Sequence, residues 1–160
     1  MNDSPPSDDA PGVDDRTGSG LVNASFVGTG ALLVAGVAGV ASPDDFGGLT
    51  TVVSGVLFAV GVMAFLYGYA AGVVRSSDEQ VTLPGLFFLS HTAPKVIRFR
   101  LRIAFAVQIV VAVAAAVIRP YTSVAFAVLA PMLGLGLMAA WGAKYGVFHP
   151  KDAGERGRGR

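Results

Sequence analysis

Residues 21–41 and 49–74 contain no charged side chain. Each run is long enough for a helix to cross the hydrocarbon of a bilayer, which takes about 20 residues for about 30 Å. A third apolar run, 102–118, is short but lengthens when the arginine stems at its start snorkel toward water, and a fourth covers 123–143. The pattern therefore predicts an all-α polytopic membrane protein with four transmembrane helices. Short turns after the first and third spans, "SPDDFGG" and "RPYTS", imply two antiparallel hairpins, and residues 75–101 form the loop between them. The four-helix domain extends over 21–148.

Composition agrees with that pattern: 52% of the residues are hydrophobic, 14% are charged, and 21 are glycine. Cysteine is absent, which excludes disulfides, thiolate metal sites and thiol nucleophiles. The opening twenty residues, rich in Asp, Pro, Gly and Ser, have almost nothing apolar to bury and are expected to be a disordered acidic tail. Residues 149–160 form a basic one. The small residues of "AGVAS" resemble a signal-peptidase site, but the preceding region is long and acidic where a signal peptide is short and positive, so the first span is expected to stay.

Charge next sets orientation. Arg75, Lys95, Arg98, Arg100 and Arg102 flank the central loop; Lys144, Lys151, Arg156, Arg158 and Arg160 follow the last span; the outer turns hold only Arg119. With Arg16 this places eleven cations on one side and one on the other, which predicts cytoplasmic N- and C-termini in a cell-membrane protein. Lys95, Arg98, Arg100, Arg102, Lys144 and Trp141 are expected to anchor the membrane flanks. Tyr67, Tyr69 and Tyr145 fall where an aromatic belt is expected.

Helices in lipid associate through close approach of small residues and through interhelical hydrogen bonds. Gly28, Ala31, Ala35 and Gly39 share one side of the first helix, as do Gly61, Ala64, Gly68 and Gly72 on the second and Ala104, Gln108, Ala112 and Ala116 on the third. Gly68 and Gly72 form a G-x-x-x-G, read as an intramolecular packing face in preference to a dimer seam. "GVMAFLYG" and "GLMAAWG", which end the second and fourth spans, echo each other faintly, too little to establish a duplicated hairpin.

Candidate chemistry is sparse. Gln108 is the amide well inside a span and must find partners. Ser54, Thr29 or a backbone carbonyl would serve for packing; a polar position on a transport path is the alternative. Pro131, with Gly134 and Gly136 nearby, marks a kink or a discontinuous helix. Asn23 reads as an interfacial or capping residue. His91 and His149 lack ligand partners at metal-site spacing, and the pairs Asp44–Asp45 and Asp78–Glu79 read as turn and solubility residues. No cofactor and no enzymatic activity are expected. The segment "VTLPGLFFLS" is too short to span and is expected to lie in the membrane surface, followed by Thr92 as a cap and Pro94 in the first turn of a helix that runs into the third span.

The segments "LPGLFFLSHTAPKVIRFRLR" and "PMLGLGLMAAWGAKYGVFHP" resemble a group of small four-span membrane proteins found mainly in halophilic archaea. The likeness covers roughly residues 80–150. It implies the fold and the membrane location and brings no assigned activity or functional residues. Nine aspartates against two glutamates, and nine arginines against three lysines, fit that acid-rich, lysine-poor style. The functional expectation is a non-enzymatic accessory or scaffold subunit acting through helix packing and its cytoplasmic loop, with a small transporter or channel component using Gln108 and the Pro131 kink as the alternative. Expected partners are the lipid bilayer and a membrane protein or second copy; no nucleic acid is expected.

Overall fold

In the computed structural model, which describes residues 18–76, 89 and 93–147, every regular element is helical. These are α1 (Ser19–Ala41), α2 (Pro43–Arg75), α3 (Lys95–Ile118), a 3-10 helix (Ser123–Leu129) and α4 (Met132–Tyr145). The last two together make the fourth segment long and apolar enough to cross a membrane, and α1, α2 and α3 are the other three. The chain is thus an all-helical, multi-pass membrane protein. Residues 1–17 of the expected N-terminal tail, the expected basic tail, the interfacial stretch up to Phe88, the Thr92 cap, His91, His149, Asp78 and Glu79 lie outside the described residues, whereas Ser19 and Gly20, expected in the disordered tail, open α1.

Two boundaries differ from expectation. "SPDDFGG" is not a turn: only Ser42 separates α1 from α2, and Pro43 opens the second helix. The reason is chemical, since proline has no N–H to lose in the first helical turn, and Asp44 and Asp45 there meet the positive end of the helix dipole. Pro94 sits at the N-cap position of α3, one residue before the helix, instead of inside its first turn.

Packing neighbours place α1 and the fourth span on one diagonal of the bundle and α2 and α3 on the other, with α2 packed most closely on α4. This is compatible with two hairpins laid side by side. Register along α1 and α2 falls in one as it rises in the other: Thr50 reaches Ala35, and a methyl on Gly28 would lie against Leu57.

The interior is the reverse of a soluble core. On α2 the buried residues are Gly47, Thr50, Ser54, Gly61, Gly68 and Gly72, while Val52, Val56, Met63, Leu66 and Val74 face outward. Small and hydroxylated side chains let backbones approach and bond, and large apolar ones are left for lipid. Two apolar clusters remain: one gathers Val22, Leu89, Ile97, Leu101, Met138 and Trp141, and the other Leu32, Ala115, Val124, Ala127 and Ala130.

Several expected faces shift by one residue. Ala31 is exposed and Leu32 turns inward, Ala64 is only partly buried, and Ala115 replaces Ala116 on α3. Four-residue steps overshoot a 3.6-residue turn by about 40° each, which carries Ala116 off the buried face after three steps from Ala104, while Ala31 and Ala64 each follow a three-residue step that falls about 60° short of a turn.

Candidate functional site

The polar centre of the bundle forms where the fourth span changes helix type. Pro131 has no N–H, so the Ala127 carbonyl cannot receive an α-helical bond from it. That carbonyl instead accepts the N–H of Ala130 at 3.1 Å, one residue early, and Leu133 N–H likewise bonds the Ala130 carbonyl at 3.0 Å. These are 3-10 bonds, and the stretch before them, Ser123–Leu129, is 3-10 throughout. The expected kink is a change of helix type followed by a fresh α-helical start at Met132.

A helix start leaves N–H groups without intrahelical acceptors, and inside hydrocarbon no water can serve them. The N–H of Gly134, third residue of α4, donates to Gln108 Oε1 at 3.1 Å. Gln108 Nε2 donates to Thr29 Oγ1 at 2.8 Å, and Thr29 passes its own hydroxyl proton to the Ser25 carbonyl at 2.7 Å. Because Thr29 is committed as a donor to Ser25, its oxygen can only accept from the amide nitrogen. The N–H of Gly134 can only donate, so the amide orientation has one solution. Gln108 is fully buried and ties α1, α3 and α4 together. Of the partners expected for it, Thr29 is used; Ser54 is buried without a hydrogen bond.

Other interhelical bonds escaped the sequence reading. Thr50 shares its proton between the Ala35 and Phe46 carbonyls at 2.8 and 3.1 Å, and Thr51 between Gly47 and Ser123 at 3.1 and 3.0 Å. Arg75 Nη1 donates to the Ala143 carbonyl in the last turn of α4 at 2.9 Å, and Arg119 Nε to the Val40 carbonyl in the last turn of α1 at 3.1 Å. Both arginines meet carbonyls at the negative end of a helix dipole. The only local signal was a hydroxyl or a cation near a span end.

Gly68 of the G-x-x-x-G lies against the Ala139 backbone, and Gly61 against the backbone of Met132 and Leu133 and against Gly136. Gly72 is buried on the same helix. The glycines of the echoing segments therefore meet in the α2–α4 seam.

At the start of α3, Lys95, Arg98 and Arg102 line a groove of about 400 Å³ together with Val96 and Phe99. Arg100 is exposed on another face of the helix and does not line it. Trp141 departs from the expected anchoring role: it is fully buried in the cluster with Val22, Leu89 and Ile97, its ring 5.7 Å from that of Tyr145. Lys144 beside it is exposed. The physical reason is the direction of the last turn of α4, which carries Trp141 toward the start of α1 and the Leu89 side chain. Leu89, the one described residue of the expected interfacial segment, is itself fully buried, with a left-handed φ of 55°.

Asn23 is exposed on α1. Among the described residues no group of three His, Cys, Asp or Glu could hold a metal ion. Comparison of the chain with protein-family models, curated proteins and solved structures finds no match.

Proposed function

We propose that the protein is a non-enzymatic accessory or scaffold subunit of the cell membrane, with both termini and the 75–101 loop cytoplasmic. The observation that carries this reading is the use of the Gln108 amide between helices. Gln108, the residue best suited to line a path, spends its amide on Thr29 and on the Gly134 N–H, contacts that hold helices together. The spans carry no Asp, Glu, His, Lys or Arg between 21 and 41, 49 and 74, 103 and 118, or 123 and 143, whereas ion paths usually display one. The lysine and arginine distribution supports the orientation, and Lys95, Arg98, Arg100 and Arg102 serve it as flank anchors.

The alternative, a small transporter or channel component, draws on one observation: the helix type changes at Ala130–Pro131, beside Gln108. Transporters place discontinuous helices at substrate sites. Reconstitution into proteoliposomes separates the two. Solute and ion flux is expected to match that of empty vesicles, while mild-detergent purification is expected to retain a stoichiometric membrane-protein partner. Flux abolished by Gln108→Leu in a folded, inserted protein would replace the accessory reading with the transport one.

A further inference from the structure

The ends of α1 and α3 border a second groove, of about 320 Å³, lined almost entirely by hydrocarbon. Gly36, Val37 and Val40 supply one wall and Val111, Ala114 and Ile118 the other. Its length, from Val111 to Ile118, is seven residues, about 10 Å of helix. Gly36 lets Val111 approach α1 closely, and Ala114 puts only a methyl group into the space between the two helices.

Arg119 stands next to one end, directly after the lining residue Ile118. It is the residue after α3, and its backbone N–H bonds the Ala115 carbonyl at 3.1 Å. Its side chain crosses to α1, where Nε donates to Val40, a residue of the groove wall, at 3.1 Å. That bond holds the stem of the guanidinium beside the Val40 end of the groove. Nε is the only side-chain nitrogen of Arg119 with a hydrogen bond among the described residues, so the Nη groups keep donors for a further acceptor. Two helix C-termini end here, each with the negative end of its dipole, and an anion is tolerated only beside this cation. Asp44 and Asp45 stand at the same end on α2, which is diagonal to α3.

We infer that this groove is a binding site for one phospholipid, with a hydrocarbon chain lying between α1 and α3 and the phosphate accepting hydrogen bonds from Arg119. The apolar wall and the held cation are separate features, and a lipid phosphate above its own chain satisfies both. Ordinary lipid contact would need neither the concavity nor the charge.

Native mass spectrometry of the detergent-purified protein, titrated with phosphatidylglycerol, tests the site. The wild type is expected to keep one lipid after the detergent is removed. Arg119→Gln, and independently Ala114→Phe, which fills the groove from an exposed position, are each expected to weaken retention at least about tenfold, since each removes one of two contributions of 1.4 kcal/mol or more. Diacylglycerol with the same chains is expected to bind as weakly as phosphatidylglycerol does to Arg119→Gln. Inorganic phosphate is expected not to displace the lipid. Retention unchanged in both variants, or equal for diacylglycerol, would overturn the proposal in favour of unselective lipid contact. Displacement by phosphate alone would make the site a simple anion site and overturn it as well. Should Arg119→Gln fail to fold, Ala114→Phe and the diacylglycerol comparison decide the matter without it.

Discussion

At the scale of single residues, buried positions are governed by what they must bond or fit. Gln108→Leu removes the acceptor of the Gly134 N–H while Thr29 keeps its bond to Ser25. An average interhelical side-chain bond in a bilayer is worth about 0.6 kcal/mol, but orphaning a buried backbone donor costs about 1–3 kcal/mol. The variant is therefore expected to insert normally and to lose about 1–3 kcal/mol in reversible unfolding from mixed micelles, more than Thr29→Val loses. Gly18, only partly buried, is constrained by fit. Its φ of 71° is left-handed, and a Cβ there would collide with Trp141 and Tyr145. Gly18→Ala is expected to destabilise by at least about 1 kcal/mol in the same assay, whereas Gly30→Ala, with nothing within 4 Å, is expected to be neutral or slightly stabilising. The need of Gln108 for a partner was legible in the sequence, because an amide in an apolar run has few choices. The fate of Trp141 was not. Its burial depends on Val22, Leu89 and Ile97, which approach from distant parts of the chain, while its sequence neighbours Lys144 and Tyr145 suggest an interface.

At the scale of elements, the fourth span shows how one missing N–H propagates. The 3-10 rise is about 2.0 Å per residue against about 1.5 Å in an α-helix, so seven residues in the tighter form add roughly 3.5 Å to the span. Pro131→Ala restores an N–H for the Ala127 carbonyl and lets α-helical bonding run through the junction. Gly134 N–H would then bond Ala130 in the α-helical manner and no longer depend on Gln108. Two outcomes are expected from this: spin labels at Tyr121 and Lys144, both exposed, move closer by about 3 Å in pulsed EPR, and Gln108→Leu costs less in the Pro131→Ala background than in the wild type. Additive costs would show that the junction and the amide are independent. Pro131 itself was visible as a break, but the helix type before it was not, because Ser123–Leu129 is an apolar run with no local mark of 3-10 geometry. The start of α2 is the opposite case. Ser-Pro-Asp-Asp spells a helix N-terminus, and the reading of a turn lost to the chemistry of the same four residues.

At the scale of the whole molecule, four apolar runs were enough to read the spans because hydrocarbon thickness imposes their length regardless of packing. Which helices touch depends on the matching of glycines with backbones, as at Gly61 and Gly136, and no single run contains that information. The proposed orientation rests on the charges outside the spans. Lys95, Arg98 and Arg102 share a groove at the start of α3 while Arg100 points elsewhere, and that whole end of the helix is cationic whereas its far end has only Arg119. A nucleic-acid strip would present stacking aromatics along one accessible face, and Phe99 is the one aromatic in the groove. Anchoring needs only the charge difference across the span, and all four cations contribute to it whichever way they point. Replacing Lys95, Arg98, Arg100 and Arg102 together by Gln removes most of that difference. Insertion of α3 and the fourth span is then expected to become mixed, with part of the population placing residues 144–160 on the other side, to the extent that Lys144 and the cations of the tail do not hold it. Because the chain has no cysteine, Ser90→Cys and Ser123→Cys report the two sides separately through reaction with an impermeant maleimide in intact cells. Two labelled populations in the quadruple variant and one in the wild type are the expected result. A single clean topology combined with loss of salt-sensitive RNA binding would transfer these four residues from anchoring to polyanion recognition, and a neutral variant that keeps both would leave orientation to the remaining cations, Arg16, Arg75 and those after the fourth span.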